Sequence, residues 1–199
     1  MPTGVAMRDV RQQLFDAAER VLLREGPNAL TSRAVTAEAG CAKGVLHRHF
    51  ADFDAFLAEL VLDRAGRVEA QAAALRSAAG TGTVAGNVAE ALTELFGSVA
   101  VAVVGLITFR DGLRARLRQR RPVGIPVLAE ASDMVASYLT AERELGRVAA
   151  DADVGTLALS LIGTGHLLFA GRGDDPPDTG TVNKTVASVI AGVVRRPPA

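Results

Sequence analysis

Cysteine, tryptophan and excess charge of either sign are what this sequence lacks most. Its single cysteine, Cys41, rules out a disulfide framework within the chain and fits a reducing compartment such as the cytoplasm. Aromatic residues make up only 4%, with no tryptophan and one tyrosine. Twenty-two Lys and Arg balance 22 Asp and Glu. That balance excludes a strongly basic coat for nucleic acid, but leaves room for a specific binder with a local basic face. No apolar run is long enough for a membrane. Residues 95–109 carry no charge but number fifteen, against the roughly 20 a spanning helix needs. Residues 154–171 are uncharged over eighteen positions, yet hold four glycines, Thr156, Ser160, Thr164 and His166. Both stretches read as buried helices, so no membrane partner is expected. No basic start precedes an apolar stretch, so no secretory leader is expected, and the chain is placed in the cytoplasm. The three histidines are scattered without metal-ligand spacing. There is no glycine-rich phosphate loop and no nucleophile elbow. The expectation is a non-enzyme with no catalytic residues, no metal and no cofactor.

What is present is apolar residue at helical spacing. The hydrophobic fraction is 49%, rich in the helix formers Ala and Leu, and no alternating strand pattern occurs. After a short tail at residues 1–6, residues 8–25 place Val10, Leu14, Ala17, Ala18, Val21 and Leu22 on one face. Gly26 and Pro27 stop this helix. Thr31 suits an N-cap, with Leu30 and Val35 at the spacing of a hydrophobic staple. A short helix then ends at Ala39-Gly40, another runs to about His49, and a long one spans Asp52 to about Ala78. Ala79 to Thr83 is a loop. Further helices are predicted near 84–104, 106–120, 124–145, 152–170 and 179–194. Gly105, Pro122 and a loop at 171–181 separate them.

The informative stretch is LTSRAVTAEAGCAKGVLHRHFADFDAF, residues 30–56. Two short helices flank a turn at Gly40, where glycine tolerates positive φ at least cost. Ala34, Val35, Ala39, Val45, Leu46 and Phe50 would pack them on the first helix. This is the helix-turn-helix arrangement, whose second helix enters the DNA major groove. That helix carries Lys43, Gly44, Val45, His47, Arg48 and His49, with no acid between Glu38 and Asp52. Lys43 and Arg48 suit phosphates or guanine edges, Val45 suits a thymine methyl, and Gly44 permits close approach.

The stretch resembles the tetracycline-repressor (TetR) family of regulators. The resemblance is carried by Thr31, Ala34, Ala37, Ala39-Gly40, Lys43-Gly44, Leu46, His47, His49-Phe50 and Ala55-Phe56-Leu57, within roughly residues 8–60. It departs from the family pattern at Ala42, where a serine commonly caps, at His47 for tyrosine, and at Phe53 for lysine. Residues 1–60 hold seven Lys and Arg against eight Asp and Glu. The resemblance implies an all-α protein with a three-helix helix-turn-helix domain at residues 1–51. A larger helical ligand-binding and dimerisation domain follows at 52–199. It implies a homodimer on double-stranded operator DNA, a repressor released from a palindromic operator by a small apolar effector. The alternative is a DNA-binding regulator without a small-molecule effector. Thr31, Arg33, Lys43, Gly44, Val45, His47, Arg48 and His49 are the expected DNA-facing residues. The long helix beginning at Asp52 is the expected route of coupling between effector and DNA.

For the C-terminal region the resemblance implies a pocket, with Phe96, Val99, Val103, Phe109, Arg110, Tyr138 and His166 as candidate lining. Each apolar member has plain core as its alternative; His166 has a satisfied buried histidine, and Arg110 with Asp111 a salt bridge. The last two helices would form the dimer interface through Leu157, Leu161, Leu168, Val186, Val189, Ile190 and Val193, facing the partner or the core. The arginine run at 114, 116, 118, 120 and 121 reads as a solvated helix end, with a second nucleic-acid patch as the other option.

Overall fold

A computed structural model describes the backbone of residues 3–170 and 175–195, and side chains from residue 10 onward. The described residues form ten helices and no strand. They are α1 Thr3–Glu25, α2 Ser32–Glu38, α3 Gly44–His49, α4 Phe53–Ser77, α5 Val84–Phe96, α6 Ala100–Phe109, α7 Asp111–Arg120, α8 Leu128–Glu144, α9 Val154–Ala170 and α10 Thr179–Ile190. The chain divides into two compact units. One comprises Met1–Asp63 with Ala102–Gly124, the other Arg64–Val101 with Ile125–Ala199. The functional boundary expected at 51/52 falls inside the first unit.

The first unit is organised by α1, whose stripe Leu14, Ala17, Ala18, Val21 and Leu22 is fully buried. Leu30, Val35, Leu46 and Phe50 cover it from the helix-turn-helix, and Phe56, Leu57 and Leu60 from α4. Phe15, Phe50 and Phe56 form an aromatic cluster with ring centroids 5.0–5.9 Å apart. Each such side chain contributes about 1.5–3 kcal/mol by leaving water. Leu113 and Leu117 bury the inner side of α7.

In the second unit α8 packs on α9, and α10 on α5 and α9. Val88, Leu92, Leu95, Phe96, Val135, Leu139, Leu161, Ile162, Val186 and Ile190 fill the centre. Helix starts are capped as the side chains dictate. The Thr83 hydroxyl accepts from Gly86 N at 3.0 Å, Asp153 from Thr156 N at 3.1 Å, and Asp178 from Thr181 N at 3.0 Å.

Several boundaries differ from those expected. Thr3–Ala6, expected in a tail, belong to α1, and residues 1–2 lie outside the described residues. The helix expected at 84–104 breaks at Gly97, while Gly105 sits inside α6. Gly97 N donates to Thr93 O at 2.8 Å, and a Cβ at Gly97 would lie 2.6 Å from that oxygen, so only glycine fits the break. The helix expected at 106–120 is interrupted by the extended backbone of Arg110, whose side chain is held by Asp54. The last helix ends at Ile190 rather than 194. Val193 and Val194 turn instead to an antiparallel bridge with Val148, and Ala149 N donates to Val193 O at 2.8 Å. Of the loop expected at 171–181, residues 171–174 lie outside the described residues, and α10 has begun by Thr179.

Candidate nucleic-acid interface

The helix-turn-helix is built by local chemistry. The Thr31 hydroxyl accepts from Ala34 N at 3.1 Å and starts α2. Gly40 takes φ +65° in the turn, and Cys41 N donates back to Thr36 O at 3.0 Å. Burial of Leu46 and Phe50 then fixes the rotation of α3. Two residues of period 3.6 pointing inward force the intervening ones outward.

That rotation exposes the expected residues. Thr31, Arg33, Lys43, Gly44, His47 and Arg48 are exposed, and Val45 and His49 are half-buried. Lys43 stands at the N-cap of α3 without a side-chain cap bond, as the lack of an acceptor on Ala42 foreshadows. Gly44 has ordinary φ, and a Cβ built on it meets nothing within 4 Å. The fold itself therefore does not require glycine here, whereas Gly40 is required by its turn.

The electrostatics sort the cations into two groups. Arg20 and Arg24 both reach Glu38, at 2.7 and 3.0 Å, and Arg24 also meets Glu25 at 2.8 Å. Hydrogen bonds from Arg20 and then Arg24 hold the Glu38 carboxyl below the usual carboxylate range. Arg11 pairs with Glu59 and lies 4.6 Å over the Phe50 ring. Arg11, Arg20 and Arg24 are thus held in ion pairs, while the side chain of Arg8 lies outside the described residues. Arg33, Lys43 and Arg48 have no hydrogen-bond or ion-pair partner among the described residues. The cations of α2 and α3 are thus available to a ligand, whereas Arg11, Arg20 and Arg24 of α1 are engaged.

The second unit places its candidate residues less uniformly. Phe96 is buried and meets the half-buried His166 ring edge-on at 6.0 Å, with Phe169 at 5.9 Å. A Cβ at Gly165 would come within 2.7 Å of the Phe96 ring. Val99 and Val103 are buried, whereas Phe109 is 83% exposed. Arg110 belongs to the first unit with Val103 and Phe109, and its Nε donates to Asp54 at 2.9 Å. The Tyr138 hydroxyl donates to Glu142 at 2.6 Å and accepts from Asn87 at 2.9 Å. Burial first, then the Glu142 bond, push its pKa well above the usual tyrosine value. A hollow of about 210 Å³ lies between α4, α5 and α8, lined by Leu75, Ala78, Asn87, Ala91, Met134 and the carboxylates Glu90 and Glu94. None of the seven candidate lining residues faces it, though Tyr138 stands behind Asn87.

On the last two helices, Leu161, Val186 and Ile190 lie in the core, and Leu157, Leu168, Val189 and Val193 are half-buried. The exposed apolar side chains of α9 are Leu159 and Leu167, at 66% and 77%. They flank Gly163, where a Cβ would meet nothing within 4 Å. Sequence reasoning missed them, although Thr156, Ser160 and Thr164 recur every four residues on the same side of α9 and mark it as the polar one. No single helix among the described residues is long and apolar enough to cross a membrane.

Residues 14–60 match the model for bacterial regulatory proteins of the tetR family. No curated protein matches the chain. Among solved structures, the chain is similar to a TetR-family transcriptional regulator from Agrobacterium tumefaciens, at 15% identity and a TM-score of 0.70 over 94% of this chain and 99% of that one. It is similar to FadR from Bacillus subtilis in complex with stearoyl-CoA, at 18% identity and a TM-score of 0.67 over 91% and 98%. It is also similar to the multidrug binding protein EbrR complexed with imidazole, at 21% identity and a TM-score of 0.61 over 95% and 96%.

Proposed function

From the match of residues 14–60 to the model for bacterial regulatory proteins of the tetR family, we propose that the chain belongs to that family and is a homodimeric repressor. In this reading it holds a palindromic operator until a small apolar molecule releases it. The observation that carries the DNA-binding part is the contrast between unpaired Arg33, Lys43 and Arg48 on α2 and α3 and the ion-paired arginines of α1. Lys43 and Arg48 meet phosphates or guanine edges, Val45 offers a methyl contact, and Gly44 lets the DNA backbone come close. Two copies related by a two-fold axis would read half-sites about 34 Å apart or a multiple of that. The second copy docks on the α9 face bearing Leu159 and Leu167. The protein acts in the cytoplasm, where its operator lies.

The effector enters the second unit. The hollow between α4, α5 and α8 leaves room there, and α4 is one of the two helices, with α6, that run from one unit into the other. The tight packing of Phe96, Val99 and Tyr138 favours the other reading, a regulator without a small-molecule effector. A thermal-shift screen of small apolar compounds separates the two: a saturable rise in Tm that also lowers DNA affinity supports the effector.

The DNA-binding role is tested by Lys43→Ala on duplex DNA across a salt series. Weaker binding, with a slope of log K against log salt shallower by about one, is expected for a lost phosphate contact. An unchanged slope removes Lys43 from the interface.

A further inference from the structure

We propose that α7 is a second phosphate-binding element, extending the DNA footprint beyond α3. The inference rests on the reading of α3 as the DNA-reading helix, and begins with charge. The net charge of zero hides a segregation between the two units. The first holds thirteen Lys and Arg against ten Asp and Glu, the second nine against twelve. The excess of the first unit does not come from the helix-turn-helix. Residues 1–63 hold seven basic residues against nine acidic ones. The segment 102–124 holds six against one, and α7 carries most of them. A DNA-reading unit that would otherwise be acidic is made basic by a helix from some forty residues downstream.

Placement is the second observation. A Cβ on Gly112, in the first turn of α7, would collide with the Asp54 carboxylate, so the two helix starts are in close approach. Arg110 also holds Asp54, at 2.9 Å, and its guanidinium lies 5.1 Å over the Phe53 ring. One turn further along α7, Arg116 pairs with Asp52, the residue that caps α4 through Ala55 N at 2.8 Å. Going forward along α7 is therefore going backward along α4, towards the end at which α3 joins it. Leu113 and Leu117 bury the inner side of α7. Its last turn, with Arg118 and Arg120, lies beyond the Arg116–Asp52 pair.

The pairing pattern completes the case. Asp52, Asp54 and Asp111 are matched by Arg116, Arg110 and Arg114. The pairs with Asp52 and Asp54 dock the helix, and that with Asp111 lies within it. Arg118 and Arg120 are exposed and have no partner among the described residues. An exposed arginine row is ordinarily a solvated face. Here the helix is docked by ion pairs to the start of α4, the helix that follows α3, and supplies the positive charge that residues 1–63 lack. A guanidinium fork suits phosphate oxygens, so the partner is the sugar–phosphate backbone flanking the groove that α3 enters.

The test uses the full chain and a 30-base-pair random-sequence duplex, with anisotropy read across a salt series. Four variants are compared: Arg118→Gln/Arg120→Gln, Lys43→Ala, Arg76→Gln as a charge control in the second unit, and the unmodified protein. The double variant is expected to keep its Tm, to bind more weakly, and to show a log–log salt slope shallower by about one to two. Arg76→Gln should match the unmodified protein. If Lys43→Ala lowers the slope and the double variant does not, α7 is only a solvated face and the proposal falls alone. If the double variant and Arg76→Gln weaken binding equally, the effect is one of net charge and the proposal also falls. If the unmodified protein shows no salt-dependent affinity for duplex DNA, the DNA-binding reading fails and takes this one with it.

Discussion

Gly40 and Gly44 stand four residues apart and are glycine for different reasons. At Gly40 the backbone sits at φ +65°, where a side chain costs roughly 1–2 kcal/mol. At Gly44 the backbone is ordinary and the space around a built Cβ is empty. Nothing around the built Cβ selects glycine at position 44; the proposed DNA contact would. Gly44→Ala is expected to raise stability by up to about 1 kcal/mol, because alanine is the better helix former. The same change should weaken DNA binding by roughly tenfold, the equivalent of about one backbone contact to phosphate. Parallel melting and DNA titrations check both signs. A variant that binds DNA as well as the parent would show that the methyl group is tolerated at the interface.

The helices of the second unit depend on one close approach. Gly165 on α9 lets Phe96 of α5 lie against its backbone, and Phe96 is itself buried between Phe169 and His166. Gly165→Ala would place a methyl group 2.7 Å from that ring, which has little room to yield. Overpacking of this kind costs typically 1–3 kcal/mol. Urea unfolding should report a loss in that range, restored in part by Phe96→Leu in the same chain. Gly163, on the exposed side of the same helix, meets nothing, so Gly163→Ala should leave the monomer's stability unharmed. The two glycines of one helix thus differ in what they face, one a ring and the other open space.

Assembly decides whether two copies of α3 can act together. Leu159 and Leu167 lie exposed on α9, beside a glycine that permits close approach, and a second copy of the same face is the proposed cover. Each leucine so covered gains about 1.5–3 kcal/mol, counted once per copy. Leu159→Glu/Leu167→Glu is therefore expected to convert a dimer into a monomer in sedimentation equilibrium, with each chain still folded. Operator affinity should fall with it, since a single half-site keeps only one recognition helix. A double variant that remains dimeric would place the interface elsewhere.

The DNA-reading part was legible before any coordinates, because its signals are local. Thr31 caps because its hydroxyl reaches Ala34 N three residues on, and Gly40 turns because it has no Cβ. Leu46 and Phe50 point inward by helical period alone, which sends Lys43, His47 and Arg48 outward. Most helices were legible for the same reason. Their ends were less so, as at Gly97 and Val193, where contacts with other segments decide where a helix stops. The orientation of α9 was partly legible, since Thr156, Ser160 and Thr164 mark one side by helical period and Leu159 and Leu167 share that side. Leu161 of α9, with Val186 and Ile190 of α10, lies in the core, one of the two positions expected of them, while Leu159 and Leu167 lie outside. The role of α7 was open between a solvated end and a nucleic-acid patch. Only folding brings its arginines to Asp52 and Asp54, because ion pairs between residues more than fifty positions apart leave no periodic trace in a chain.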